Sequence, residues 1–244
     1  MRMKAKTRLD RLLLELGLAR NLAEAQALIM AGRVEVDGEK IAKNGTRVAV
    51  TSQIEISPSP KYVSRGGIKL ESALEDFKIG PAGKICLDVG ASTGGFTDLL
   101  LQSGASKVYA LDVGKGLLDW KLRRDPRVIV IEKFNARKLS PKIIPEPIGL
   151  ATVDVSFISL TLILPALKTV LAQNGEVIAL VKPQFELEAR LVKGGVVRDE
   201  ALQLEAVDKI ARFASKTGFR VLGQIKAKIK GPKGNQEYFL HLKT

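Results

Sequence analysis

Residues whose types and spacing could do chemistry gather first in Ile85-Cys86-Leu87-Asp88-Val89-Gly90-Ala91-Ser92-Thr93-Gly94-Gly95-Phe96. The apolar run from Ile85 to Val89 predicts a buried strand, the glycines a sharp turn, and Phe96 to Leu101 the start of a helix. Glycines let backbone approach a ligand closely. Spacing excludes two familiar ligands. The dinucleotide fingerprint G-x-G-x-x-G fails because Ala91-Ser92 follows Gly90, and the phosphate-cradling loop fails because Phe96 stands in the lysine position. A loop with an acid before it and no cation inside suits something other than a polyphosphate. S-adenosylmethionine fits that description, since its reacting end is a sulfonium cation beside an amino acid. The alternative is a strand-to-helix turn whose glycines serve packing alone.

The next strand supplies a second test. Lys107-Val108-Tyr109-Ala110-Leu111-Asp112 is an apolar run ending in an acid, and nucleotide-binding doubly wound folds place an acid about 20 residues beyond the glycine loop to hold ribose hydroxyls. Asp112 could also be an ordinary helix cap. Together with the loop, the ribose reading is favoured, and the start is methyltransferase-like.

Elements that must position these groups follow the same alternation. A helix from Ile68 to Phe77 places Lys69 in its first turn, against the dipole. Strands are expected at Val128 to Ile131, at Gly149 to Val155 with Asp154 near its end, and at Gly175 to Val181, stopped by Lys182-Pro183. Helices are expected around Trp120 with the cluster Lys121, Arg123, Arg124 and Arg127, over Thr161 to Ala172, and over Leu202 to Thr217. Two last strands, Phe219 to Ile229 and Glu237 to Leu242, flank Gly231-Pro232-Lys233-Gly234. In Ile225-Lys226-Ala227-Lys228-Ile229-Lys230 the period of two puts every lysine on one face, either for RNA or to block edge pairing. Strands alternating with helices predict an α/β fold with a mostly parallel sheet, its last strand antiparallel, and ligands at the strand C-terminal ends.

The 244 residues suffice for one such domain and a small appendage, and 45% hydrophobic content makes the chain globular. A formal charge of +13 points to a polyanionic partner, nucleic acid first. Residues 1–60 hold 10 Lys/Arg against 7 Asp/Glu and the remainder 29 against 19, so both parts carry the excess. One cysteine, Cys86, and one histidine, His241, argue against a disulfide framework, a histidine-rich metal site or a Ser-His-Asp triad. No metal is expected. No apolar run reaches the length of a membrane span and no secretory leader is evident, so a cytoplasmic, monomeric protein is expected.

Residues 1–59 read as a separate domain, and 60–64, after Ser57-Pro58-Ser59-Pro60, as its linker to 65–244. Leu9, Leu12, Leu13 and Leu16 have helical spacing; Asn21 caps a second helix, Leu22 to Met30, with Glu24 completing a capping box; Val34-x-Val36-Asp37-Gly38 begins a small sheet. This arrangement resembles the S-four-type RNA-binding domain in Arg8-Leu9-Asp10, Gly17-Leu18-Ala19, Ala25, Leu28-Ile29, Gly32 and Val34 to Gly38. It departs at Asn21-Leu22, where Ser-Arg is usual, and at Asp37, where Asn is commoner. Arg8, Arg11, Arg20, Arg33, Lys40 and Lys43 remain to contact phosphates, and Arg65 is added to them.

With 88–97, 154–160 (Asp-Val-Ser-Phe-Ile-Ser-Leu), 182–186 (Lys-Pro-Gln-Phe-Glu), 194–199 (Gly-Gly-Val-Val-Arg-Asp) and 234–239 (Gly-Asn-Gln-Glu-Tyr-Phe), the whole chain resembles the TlyA family. Those are ribosomal RNA 2′-O-methyltransferases, historically called haemolysins, joining an S-four-type domain to an FtsJ/RrmJ-like domain with a Rossmann-like class I sheet. The resemblance implies S-adenosylmethionine as cofactor, a cytidine 2′-hydroxyl within ribosomal subunits as acceptor, and a catalytic tetrad at Lys69, Asp154, Lys182 and Glu237. It implies cofactor contacts from Asp88, Gly90, Ala91, Ser92, Thr93, Gly94, Gly95, Phe96, Asp112, Val113, Asn135, Ala136 and Asp154. A 2′-hydroxyl is a poor nucleophile that needs a base or a strong orienting group. A lysine, with a free pKa of about 10.4, becomes a base only beside a second cation or when desolvated. Lys69 facing Lys182 would do this, with Asp154 and Glu237 positioning the pair. Phe157 and Phe185 could sandwich the target base, although core packing is the favoured reading. The compact ends resemble the family's short form, which implies the large subunit. A non-catalytic assembly factor would explain the charge but not the tetrad, and a membrane-lysing haemolysin would need a spanning or amphipathic segment that is not found.

Overall fold

The computed structural model describes residues 5–58 and 60–244, in two compact units that part between Pro60 and Lys61. In the first unit, β1 (Lys6–Arg8) pairs antiparallel with β4 (Arg47–Ala49), and β2 (Val34–Val36) lies between β3 (Glu39–Ile41) and β5 (Ile54–Ile56). Helices α1 (Leu9–Glu15) and α2 (Leu22–Met30) close its core, in which Leu9, Leu13, Ala25, Ile29 and Val34 are fully buried. The Asn21 side chain accepts from the Glu24 N–H at 2.9 Å, as a cap should. The capping box is incomplete, however: the Glu24 carboxylate turns to the backbone N–H and guanidinium of Arg20 instead of returning to Asn21.

The second unit is built on seven strands in the order β11-β12-β10-β9-β6-β7-β8. They are β6 (Ile85–Val89), β7 (Lys107–Leu111), β8 (Val128–Ile131), β9 (Ile148–Val153), β10 (Leu171–Val181), β11 (Arg220–Lys226) and β12 (Tyr238–Lys243). The central runs are apolar throughout because helices cover both faces. On one face lie α3 (Arg65–Phe77), α4 (Gly95–Gln102) and α5 (Trp120–Arg123), sharing a core with Leu70, Leu100, Leu122 and Phe239. The other face carries α6 (Leu164–Lys168), α7 (Pro183–Glu186) and α8 (Glu200–Lys216), with Leu164, Val207 and Ile210 buried against β9, β10 and β12. Strands β10, β9, β6, β7 and β8 are parallel; β12 runs antiparallel between β10 and β11. The chain winds outward from β6 to β8 and then crosses back to β9, so the order reverses between β6 and β9. That is where a doubly wound sheet binds its ligand.

The structure corrects several sequence expectations. The helix expected over Thr161 to Ala172 is a 3-10 turn (Leu160–Leu162) followed by five-residue α6. Pro165 has no N–H to donate and is tolerated only in a first turn, so the helix restarts at Leu164. The chain beyond it joins β10 from Leu171. Strand β11 ends at Lys226, so the lysine stripe is not a continuous edge; Lys226 pairs with Glu200 of α8 and Lys228 with Asp76 of α3, helices on opposite faces. Residues 61–63 do not hang free as a linker. Tyr62 is buried with its hydroxyl on Glu71, the Val63 N–H donates to Asp98, and Gln102 donates to the Lys61 carbonyl. Cys86 is buried as expected, and burial pushes its thiol up to about 12, so it is inert. Among the described residues no helix is long and apolar enough to cross a membrane.

Candidate active site

At the reversal point the loops after β6 and β9 touch. The Asp154 N–H donates to the Val89 carbonyl at 2.9 Å, and a Cβ at Gly90 (φ +86°) would stand 2.3 Å from the Asp154 carbonyl oxygen. Only glycine permits that approach. Around this contact open two cavities, of about 670 and 360 Å³, both lined by Gly90, Ser92 and Asp154.

The larger cavity is walled by the glycine loop, by Arg65 and Lys69 of α3, and by the turn from Lys230 to Gly234. Lys69 is the fifth residue of α3, because the helix begins at Arg65, so its placement in the first turn is corrected. Its Nζ donates to Glu237 Oε2 at 2.5 Å, and both side chains are buried. The other Glu237 carboxylate oxygen, Oε1, is buried without a hydrogen-bond partner and faces Gly231, where an added Cβ would lie 2.1 Å away. Lys182, at the end of β10, forms the second pair. Its Nζ is 2.5 Å from Asp154 Oδ1, within ion-pair range though poorly aligned for a hydrogen bond, and donates to Ser156 Oγ at 2.9 Å. The four residues are thus brought together as two lysine–carboxylate pairs. Lys69 does not face Lys182 as a bare cation; each lysine has its own acid, since an unpaired buried charge is costly.

The smaller cavity is lined by Leu111, Asp112, Val113, Phe134, Asn135 and Ala136, the apolar-plus-acid surface a nucleoside requires. Asp112 accepts the Ser92 N–H at 2.8 Å and the Gly114 N–H at 2.7 Å, one on each oxygen, so it folds the rim while keeping a lone pair on each oxygen for a diol. It does not cap a helix. Of the loop residues, Gly90, Ala91, Ser92, Thr93, Gly95 and Phe96 line the larger cavity. Gly94 lies behind them: a Cβ there would meet Leu122 at 2.3 Å. Asp88 is corrected as a direct cofactor contact. It is fully buried, accepts from Thr97 Oγ1 at 2.7 Å and Thr152 Oγ1 at 3.1 Å, and burial pushes its carboxyl up to about 7.

Phe157 overturns the core-packing reading, being 90% exposed with φ +62°, a left-handed conformation costly for a bulky residue. Its ring centroid is 4.9 Å from that of half-buried Phe185. Sequence reasoning missed the groups that hold the loops around the site. Ser156 is one; Glu186 is another, a buried carboxylate accepting from Ser159 Oγ at 2.5 Å and the Leu160 N–H at 2.8 Å, its carboxyl raised by burial. Buried Asn235 is a third, taking the Val197 N–H and donating to the Gly195 carbonyl, which ties that loop to the turn before Glu237. All three stand inside motifs, but a hydroxyl, acid or amide at such a place gives no sign of where it points.

In the first unit the expected phosphate contacts are mostly engaged locally. Arg8 forms a double hydrogen bond to Asp10, holding that carboxyl well below its ordinary value. Arg20 pairs with Glu24, Arg33 donates to the Ser57 carbonyl, and Lys40 lies 3.9 Å from Glu35. Arg11 and Lys43, and Arg65 of the second unit, have no acidic partner among the described residues.

Sheet order and loop geometry define a class I S-adenosylmethionine-dependent methyltransferase carrying a small α+β appendage. The FtsJ-like methyltransferase family matches residues 62–244 and the S4 domain residues 7–54. The "16S/23S rRNA (cytidine-2'-O)-methyltransferase TlyA" of Mycobacterium tuberculosis is 45% identical, covering 99% of this chain and 91% of that one. "Hemolysin A" of Brachyspira hyodysenteriae is 44% identical over 96% and 98%. A solved structure from Streptococcus thermophilus superposes with TM-score 0.76 at 41% identity, covering 99% of this chain and 90% of that one. The chain belongs to the TlyA family of FtsJ-like methyltransferases.

Proposed function

We propose that this protein transfers a methyl group from S-adenosylmethionine to the 2′-hydroxyl of a cytidine in ribosomal RNA. The observation that carries this reading is the two lysine–carboxylate pairs, Lys69–Glu237 and Lys182–Asp154, with Lys69 lining the larger cavity and Asp154 lining both it and the smaller, nucleoside-sized one. When bound, the sulfonium cofactor supplies an electrophilic methyl group. Asp112, Val113, Asn135 and Ala136 would hold the adenosine end, and Gly90, Ala91, Ser92, Thr93, Gly95 and Phe96 the amino-acid end. Lys182 meets the 2′-oxygen either as an anchor, with the N–H that Asp154 and Ser156 leave over, or as a base, through the lone pair of its unprotonated amine, while Asp154 places a negative charge beside the cationic donor. Lys69 and Glu237 shape the opposite wall. Phe157 presents its exposed ring to a base that must leave its stack for the 2′-oxygen to reach the methyl group.

The RNA-binding domain, residues 1–59, anchors the RNA through cations that exchange a local acid for a phosphate. Two TlyA relatives support the RNA assignment, named for 16S/23S and for 23S ribosomal RNA, so the large-subunit RNA is their shared acceptor. The protein then works as a monomer on ribosomal subunits in the cytoplasm. Methyl transfer from labelled cofactor to isolated subunits, followed by nucleotide mapping, is expected to place a 2′-O-methyl group on a large-subunit cytidine. Label appearing on a base, or no transfer to either subunit, would sink the reading.

A further inference from the structure

The chain has a single tryptophan, and the fold leaves it on the surface: Trp120 is 65% exposed. An indole ordinarily buries 150–250 Å² and contributes strongly to a core, so packing does not account for it. Its helix, α5, is nonetheless firmly seated. Leu122 on its underside and Leu118 just before it are buried, tight against the space a side chain would need at Gly94, and the Asp119 N–H donates to the Thr93 carbonyl. The underside of α5 is thus clamped to the glycine loop, while Trp120, Lys121 and Arg124 face outward.

The charges around the ring are distributed unequally. Arg123 pairs with Glu132 and Arg127 with Asp125, and the third acid of this segment, Asp119, takes the Lys121 backbone N–H instead of a cation. Lys121 and Arg124 have no acidic partner among the described residues, and the Arg124 guanidinium lies 5.3 Å from the indole centroid. An exposed aromatic face beside two uncompensated cations is what a single-stranded nucleotide requires: stacking for the base and positive charge for its phosphate. A duplex backbone track would use the cations but leave the indole idle.

We propose that Trp120, with Lys121 and Arg124, is a stacking site for an unpaired nucleotide of the RNA substrate, held one short helix away from the glycine loop. The inference rests on the RNA methyltransferase reading. It gives the catalytic unit its own contact with single-stranded RNA, separate from the base that reacts.

Because Trp120 is the sole tryptophan, indole fluorescence of the full-length protein reports on this site alone. With the cofactor product S-adenosylhomocysteine saturating, titration with a short single-stranded oligocytidine should quench that emission to a plateau, and a blunt RNA duplex of equal length should not. Trp120→Ala should raise KM for ribosomal subunits about tenfold, the scale of one lost base–aromatic stack. Cofactor affinity and kcat should hold, and Trp120→Phe should recover most of the loss. Arg124→Glu should raise KM with Trp120 intact. Unchanged KM without quenching overturns the proposal. So does equal quenching by the duplex, which would mark a backbone track. A raised KM on whole subunits without oligonucleotide quenching would assign the patch to a ribosomal protein and also overturn it. Wild-type methyl transfer measured alongside keeps the two failures apart: no methylation by the wild type condemns the enzyme reading, whatever the fluorescence does.

Discussion

The two units handle charge in opposite ways. In the first, Arg20 and Lys40 pair with acids while their own side chains stay largely exposed to water. Such pairs contribute little and exchange readily, so a phosphate can replace the carboxylate. In the second, Lys69–Glu237 is withdrawn from solvent and Lys182–Asp154 largely so, and removing one partner strands the other in a poor medium. Exposed pairs suit a surface that must adapt to a polyanion; withdrawn pairs suit a site whose geometry must be set before substrate arrives. That contrast can be broken by substitution, most visibly at the withdrawn pairs.

Lys182→Ala should lower kcat by about 10²- to 10⁴-fold while cofactor and RNA affinities change little, because the lost interaction belongs to the transition state. Lys182→Arg separates the two roles left open: arginine keeps the charge but cannot give up its proton, so full rescue leaves anchoring and eliminates the base. Near-normal rates in both variants would leave Lys182 a purely structural partner of Asp154 and erase the contrast between the units.

Gly231→Ala tests the other pair without touching a charge. The added methyl group would stand 2.1 Å from Glu237 Oε1, so the carboxylate and the Lys69 Nζ it holds must move. Displacement of about an ångström typically costs on the order of 100-fold in rate. Single-turnover kinetics should show that loss in the chemical step; an unaffected rate would mean that Glu237 has no fixed position to lose.

Much of the second unit was legible because its elements are long and apolar and its turns carry glycine or proline at positions that demand them. The glycine loop, Asp112 and the ends of β9 and β10 follow from that punctuation. Pairing across the fold was not legible. Lys69 and Glu237 stand 168 positions apart, and nothing local marks their meeting. Asp88 misled for a related reason: an acid ending a strand before a glycine loop looks like a ligand contact, but the strand's alternation turns it inward to Thr97 and Thr152. Phe157 misled in the other direction, since only its left-handed backbone throws an apolar ring outward.

Asp88 also gives the contrast a pH signature. Burial raises its carboxyl to about 7 in the folded protein, against roughly 3.9 when unfolded. Its contribution to stability is therefore fully present below the unfolded value and is lost as pH rises through 7. Asp88→Asn cannot titrate. Between pH 6 and 8 the wild type should lose about 1.4 kcal/mol relative to Asp88→Asn in denaturant titrations. His241, whose folded value is lowered by burial, adds an opposite slope below its ordinary range, but it is common to both proteins and cancels. Parallel stability curves would mean that Asp88 stays ionised in its interior site.

The smallest effect should come from comparing two exposed arginines of the first unit. Arg11 has no acidic partner among the described residues, whereas Arg20 is held by Glu24 through its side chain, with the backbone N–H also engaged. Each phosphate contact contributes roughly 0.7–0.9 to the slope of log K against log salt. Arg11→Ala should therefore flatten the slope for ribosomal RNA binding by about that amount. Arg20→Ala should flatten it less, because Arg20 must abandon Glu24 to reach a phosphate and the acid then remains near the RNA. Glu24→Gln supplies the control: with the acid gone, Arg20 should gain weight, and the slope should steepen slightly. Equal losses from both arginines, insensitive to Glu24, would show that local pairing does not govern which cations of this unit reach the RNA.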